Sequence, residues 1–220
     1  MAVLGIDTAG PVVGAAVWSD AGVTMWSQRI TRKADSVLLP AIADLIADAE
    51  IDLVAVSVGP GAFTGLRVGV SAALGIAVAR GLKVVGVSSL EVRATTIRTA
   101  RTLSLLDGRK GKVYAGLFDT RADSPVLIGA EVDAPLAEVL PEEPFVAVGE
   151  GAVVFAAAIA AAGGRSSPDA ARCPADEVAR LGALRRESAL DAGAVALRYL
   201  RPPDARPPRS VGQQVGRRAT

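Results

Sequence analysis

The chain of 220 residues is 50% hydrophobic and 21% charged, with 24 Lys and Arg against 23 Asp and Glu. That excludes a disordered polymer and a protein gripping nucleic acid by gross positive charge. It has no histidine and one cysteine, Cys173, which excludes Ser-His-Asp and Cys-His hydrolases, His-ligated zinc or iron and internal disulfides.

Val3 to Ile6 is a short apolar run, ended by the turn formers Thr8, Gly10 and Pro11. Val12 to Trp18 is a second β-rich run, and Val23 to Ile30 alternates as a third strand, which together predict an antiparallel meander. From Ser36 to Glu50 the period changes: Leu38, Ile42, Leu45, Ile46 and Ala49 recur at helical spacing. Asp35 or Ser36 is placed to cap that helix, and Pro40 suits it only within the first turn. Leu53 to Val58 has the apolar character of a strand buried in a parallel sheet. A Gly-rich corner follows, then a helix from about Leu66 to Arg80 with Gly81 as a left-handed stop. Lys83 to Val87 is a fifth strand, and Ser88 or Ser89 caps a third helix running to about Ala100.

A second copy of this order begins near Thr102. Leu103 to Leu106 ends at Asp107, as the first strand ends at Asp7; Val113 to Phe118 and Val126 to Val132 complete a second trio of strands. Phe145 to Val148 leads into Gly149-Glu150-Gly151, a candidate nucleotide-base or partner loop, and then a helix over Val153 to Ala162. Further helices are expected at Ala175 to Arg186 and Ala189 to Leu200. The reading is therefore an N-terminal half over 1–100, a C-terminal half over 101–200 and a tail over 201–220. That tail has four prolines and five arginines against one acid, suits a flexible terminus, and has a basic arm reaching for RNA as its sharper reading.

Asp7 and Thr8 stand at a strand end, where an aspartate can hold hydrated magnesium and small residues let amides meet phosphate; a plain Asx turn fits equally well. In Gly59 to Gly69, GPGAFTGLRVG, Thr64 can cap a helix whose amides make an anion site, yet the phosphate-loop lysine is absent and Arg67 comes two places late. Gly65, Gly69, Ala73 and Ala77 form a small-residue ridge, flanked by Leu66, Val70 and Leu74. Such a ridge admits either this chain's own sheet or a partner helix. Asp107-Gly108-Arg109-Lys110-Gly111-Lys112 carries cations where the second half would have a phosphate turn. Arg109 and Lys112 can meet phosphate or decorate an exposed hairpin. Cys173 reads as a small apolar residue. The longest apolar run, Ala152 to Ala162, falls short of the ~18 residues of a membrane span, and Asp7 interrupts the N-terminal apolar stretch of a would-be signal peptide.

VLGIDT over Val3–Thr8, GPGAFTGLRVG over Gly59–Gly69, VGVSSL over Val85–Leu90, LDGRKGKVY over Leu106–Tyr114 and Tyr199-Leu200-Arg201 occur together in this order. Over Met1 to about Asp204 the chain resembles the TsaB (YeaZ) family of tRNA threonylcarbamoyladenosine biosynthesis. The resemblance implies an α/β actin-like/Hsp70-like/sugar-kinase (ASKHA) fold of two ribonuclease-H-like βββαβαβ halves in a cytoplasmic protein. It implies no catalytic centre: the relative TsaD moves a threonylcarbamoyl group onto N6 of adenosine 37 with a metal held by histidines, which this chain lacks, and the family's peptidase label fails likewise. The expected role is a partner of TsaD, joined by TsaE, contacting tRNA only through the complex. It also implies pairing, with TsaD or with a second copy, through helices 36–50 and 66–80. The interface candidates are Leu38, Ile42, Leu45, Phe63, Thr64, Gly65, Leu66, Gly69, Val70, Ala73 and Ala77. Candidate nucleotide contacts are Asp7, Thr8, Arg67, Asp107 and Arg109, with no intrinsic cofactor or metal and ATP or ADP at the complex interface. Two departures stand out: Ala34 replaces a histidine frequent in the family, and Gly108 replaces an alanine. The alternative function is a stand-alone ATPase or kinase of the same fold with Asp7 as its magnesium anchor.

Overall fold

The computed structural model describes residues 1–30 and 34–201. Strands β1 (Ala2–Asp7), β2 (Val12–Ser19) and β3 (Gly22–Arg29) form the antiparallel meander, and β4 (Leu53–Gly59) and β5 (Val84–Ser88) extend it in parallel beyond β1, giving the order β3-β2-β1-β4-β5. The second sheet repeats the pattern. Its strands are β6 (Thr102–Arg109), β7 (Lys112–Asp119), β8 (Val126–Pro135), β9 (Val146–Val148) and the two-residue β10 (Arg165–Ser166), in the order β10-β9-β6-β7-β8. The duplication expected from element order is present as two five-stranded mixed sheets of matching strand order; β10 carried too short a pattern to be read.

Alternation along β1 and β4 explains why their sequences are apolar throughout. Leu4, Ile6, Val54 and Val56 face the helices α1 (Ala34–Leu45) and α2 (Phe63–Arg80), while Val3, Leu53 and Ala55 face α6 (Ala175–Leu184) on the other side. Between the sheets lies α3 (Ser89–Ala94), whose Leu90 and Ala94 meet Leu106 and Phe118. The short helices α4 (Glu150–Val154) and α5 (Ala156–Ala161) cover the second sheet. They divide at Phe155 the single helix expected over 153–162.

Several boundaries differ from expectation for identifiable reasons. Helix α1 starts at Ala34, so Asp35 and Ser36 lie inside its first turn and Pro40 is its seventh residue. Burial of Leu38 and Ile42 on either side of the exposed Pro40 offsets the local cost of proline, and the helix stops at Leu45, five residues short of Glu50. Helix α2 starts at Phe63 behind the N-cap Ala62, which offers no side-chain cap, so Thr64 sits exposed in the first turn instead of capping. At its other end Gly81 takes φ 67°, ψ 31°, the left-handed stop expected there. Ser88 Oγ caps α3, accepting from Leu90 and Glu91 N–H. That helix ends at Ala94, well before Ala100, where Thr95 and Thr96 hydroxyls turn back onto the Val92 and Arg93 carbonyls at 2.7 and 2.8 Å.

The helix expected over 189–200 does not form. Leu190 instead pairs antiparallel with Val84, Ala192–Ala194 makes a single 3₁₀ turn, and Arg198 N–H donates to the Val58 carbonyl at 2.8 Å. This extended strap satisfies backbone groups at the edge of the first sheet, which a helix would leave open. With α6 it returns residues 175–200, expected with the C-terminal half, to the first sheet. Arg201, expected in a loose tail, is tied to Asp133 and to the Gly108 carbonyl; the rest of the tail, 202–220, lies outside the described residues.

Candidate functional site

Strand β1 delivers Asp7 to the cleft between the halves, where it is fully buried. Helix α3 brings Arg93 to it: Nη1 and Nη2 donate to the two Asp7 carboxylate oxygens at 3.3 and 2.9 Å, and Nη1 also reaches the Ser89 carbonyl at 2.9 Å. On the far side Glu150, the first residue of α4, stands 3.8 Å from Arg93 Nε. Burial works against the Arg93 charge, but Asp7 and then Glu150 outweigh it and raise its pKa. Burial pushes the Glu150 carboxyl up, against the pull of Arg93 and a bond from the Asp107 N–H. The same apolar burial raises the Cys173 thiol, whose sulfur lies against Gly14, consistent with an inert core residue.

This arrangement does not fit hydrated magnesium. Both Asp7 oxygens are committed to a guanidinium, and a side chain on Gly10 would stand 3.1 Å from Arg93 and 3.2 Å from Glu150, so the space beside the turn is filled. Thr8 is buried, its hydroxyl has no hydrogen-bond partner among the described residues, and the glycine corner backs onto the turn through Ala62 N–H to the Ala9 carbonyl at 2.8 Å. Asp7 and Thr8 are therefore not open to a nucleotide. The sequence carried no signal for this, because nothing marks Arg93 as Asp7's partner.

The small-residue ridge is likewise internal. A Cβ on Gly65 would overlap the Thr8 carbonyl and one on Gly69 the Thr8 hydroxyl, so these glycines admit the chain's own β1 turn. Leu38, Ile42, Leu66, Gly69, Val70, Ala73 and Ala77 are buried in this chain's own core, Leu45 and Gly65 are half-buried, and Phe63 and Thr64 are exposed. As interface candidates the seven buried residues are corrected: their spacing marked the inward face. Outward on α2 stand Arg67, Ser71, Gly75 and Val78, the last 73% exposed, and α1 adds Leu39, Pro40 and Ala43. Small and apolar residues on both sides of α2 were the signal for a second face.

Arg67 is held at the start of α2 by aromatic rings. Its guanidinium lies 3.8 Å over Phe63, whose ring is 5.3 Å from Tyr199, and Nε donates to the Tyr199 hydroxyl at 3.3 Å. Asp107 and Arg109 belong to a third place, the β6–β7 hairpin. Arg109 and Lys110 have φ of 59° and 54°, followed by Gly111 at 75°, and Asp107 Oδ1 accepts the Arg109 N–H at 2.8 Å. The five nucleotide candidates thus fall at three places, with the Asp107 backbone N–H linking its hairpin to Glu150.

Beside the hairpin is an open cavity of about 680 Å³, lined among others by Lys110, Lys112, Asp133 and Arg201. Glu131 closes its inner side, accepting from Ser88 Oγ at 2.5 Å and pairing with Arg198 at 2.7 Å. Burial raises the Glu131 pKa, against the pull of Ser88 and Arg198.

The family model described as TsaD, tRNA N6-adenosine threonylcarbamoyltransferase, matches residues 27–190. The chain is 31% identical over 145 residues to the tRNA threonylcarbamoyladenosine biosynthesis protein TsaB of Escherichia coli K12, covering 62% of each chain. It is 34% identical to the Bacillus subtilis protein of the same description over 126 residues, covering 54% of this chain and 55% of that one. These matches span about three fifths or less of the curated relatives' own length. Among solved structures, YeaZ from Pseudomonas aeruginosa superposes with a TM-score of 0.75 at 24% identity, over 90% of this chain and 99% of that one, which bears on the fold alone.

Proposed function

The chain belongs to the TsaB/YeaZ family, within the wider family of the TsaD model, and from that premise we propose that it is a non-catalytic subunit of tRNA N6-threonylcarbamoyladenosine formation that pairs with TsaD, with TsaE joining the pair. The carrying observation is the outward face of α1 and α2. Leu39, Ala43, Gly75 and Val78 are exposed there, while Leu38 and Ile42 of α1 and Val70, Ala73 and Ala77 of α2 anchor the opposite face in the core. An apolar, well-anchored helix pair is the kind of surface that forms the core of a protein interface. The missing histidines and the guanidinium-filled cleft support the non-catalytic part of the reading. Interface duty moves from the buried ridge to this outer face. Any ATP or ADP belongs, on this reading, to the partner interface and not to the Asp7 turn.

The test is co-purification with TsaD from the same source. Among the described residues nothing beyond its own helix and chain neighbours lies within 4 Å of a Cβ built on Gly75, so Gly75→Arg and Val78→Arg should leave melting temperature nearly unchanged while abolishing the complex. A complex that survives both variants overturns the assignment of this face. The stand-alone ATPase reading predicts ATP turnover by the chain alone that is lost in Asp7→Asn; the burial of Asp7 under Arg93 argues against it.

A further inference from the structure

We propose that strand β3 is a docking edge for a second copy of this chain, the two strands pairing antiparallel about a two-fold axis. Among the described residues the two sheets present four edges, and three of them are closed or broken. β5 is bridged by the strap, where Val84 and Leu190 exchange backbone hydrogen bonds at 2.8 and 2.9 Å. β10 has only two residues. β8 is interrupted by Gly129 at φ 84° and a shift of register against β7, and it carries the paired acids Glu131 and Asp133 before ending at Pro135. Short length, bulges, charge and proline are the ordinary means by which a free edge is kept from pairing.

Along β3 these devices are missing. Its eight residues, GVTMWSQR, stay in unbroken register with β2 from Ser19↔Gly22 to Val12↔Arg29, and its one charge, Arg29, stands at the far end. All are exposed except Trp26, which is half-buried against the first core; Val23 is 50% and Met25 36% exposed. Val23, Thr24 and Trp26 are residue types that favour strands. The edge is therefore regular, largely uncharged and open to another strand. Charge selects the occupant and its direction. Arg29 is exposed, and the turn at the other end of the strand holds Asp20, whose side chain is 78% exposed and lies 3.3 Å from the Met1 ammonium. Antiparallel pairing of two copies sets each Arg29 beside the other copy's Asp20 turn, so a two-fold axis makes the same ion pair twice. Parallel pairing would set Arg29 beside Arg29. The strand is thus complementary to itself in the antiparallel sense, and the pairing joins two five-stranded sheets into one. Two eight-residue strands make an interface at the small end of the specific range, so dissociation in the micromolar range is expected.

Sedimentation velocity on the full chain at concentrations from about 1 to 200 μM reads the association. The wild type should pass from monomer to dimer across that range, and amide exchange over residues 22–29 should slow as it does. Met25→Lys puts a charge on the exposed edge without entering the core, and it should abolish the dimer at a nearly unchanged melting temperature. Arg29→Asp and Asp20→Arg should each weaken the dimer about tenfold, because both copies of the ion pair become repulsive. The two substitutions together should restore it to within about threefold of wild type. A chain that stays monomeric throughout overturns the proposal, as does a dimer with unchanged exchange over 22–29, or charge variants that fail to compensate each other. A dimer that survives Met25→Lys and is lost in Val78→Arg overturns it as well, by placing self-association on α2. TsaD takes no part in these measurements, so their failure leaves the proposed function standing.

Discussion

The turn after β1 and the turn after β6 occupy equivalent positions in two sheets of the same strand order, and they have become opposites. Asp7 and Thr8 have no exposed surface: eighteen-residue α2 presses two glycines onto the turn, and Arg93 fills the space beside it. Asp107 to Lys112 lies open to solvent except for Gly108, with three cations and a left-handed tip. The helix that follows β9 is only five residues long, and its Glu150 reaches toward Arg93 as well as to the Asp107 N–H, so the second half helps seal the first turn and leaves its own tip uncovered. A duplicated scaffold thus assigns one copy of a turn to the core and the other to the surface, according to the length of the covering helix and the size of the residues beneath it.

The largest effect expected of this contrast is at Arg93. Arg93→Met strands the buried Asp7 carboxylate, and denaturant unfolding should show a loss of about 3–5 kcal/mol. Adding Asp7→Asn should recover much of it, because the uncompensated charge is gone. A single variant as stable as wild type would mean that the cleft admits water and that the two turns are not opposites. Gly69→Ala comes next, since its methyl overlaps the Thr8 hydroxyl. A cost of about 1–3 kcal/mol is expected, whereas Gly75→Ala, on the open side of the same helix, should stabilise the isolated chain by about 1 kcal/mol.

The sequence announced most of the strands and both sheet halves, because apolar runs, alternation and turn residues are local signals. Val3 to Ile6 and Leu53 to Val58 could be read as they stand. The helix over 189–200 failed because its apolar spacing also suits an extended strap, and only the unpaired edge of β5 decides between them. The ridge of Gly65, Gly69, Ala73 and Ala77 was legible as a close contact, but not that Gly65 and Gly69 meet Thr8, nor that Asp7 pairs with Arg93, eighty-six residues further along the chain. Long-range pairings of this kind leave no trace in a single sequence. The Arg109-Lys110 tip was legible as a cationic hairpin, its backbone strain was not.

At the exposed turn the sign reverses. Lys110→Asn places the residue favoured ahead of Gly111 in a tight hairpin turn and should raise stability by about 0.5–1 kcal/mol in thermal or denaturant unfolding. A loss instead would show that the lysine side chain, and not the backbone, holds the tip.

The smallest effect tests the tie beneath that turn. Glu131 joins β8 to Ser88 at the end of β5, and burial raises its carboxyl above the ordinary glutamate range. In the window between the ordinary value and the raised native one, the folded chain holds a proton that the unfolded chain has released, so this group's contribution to stability falls as pH rises through the window. Glutamine cannot titrate and lacks that slope. Relative to wild type, Glu131→Gln should therefore gain stability as pH is raised from about 4 to 7, by no more than on the order of 1 kcal/mol because the half-exposed Arg198 already offsets part of the burial. Urea unfolding at a series of pH values reads the difference directly. Parallel curves would show that Arg198 and Ser88 fully compensate the buried charge, and a gain at low pH would reverse the sign of the burial argument.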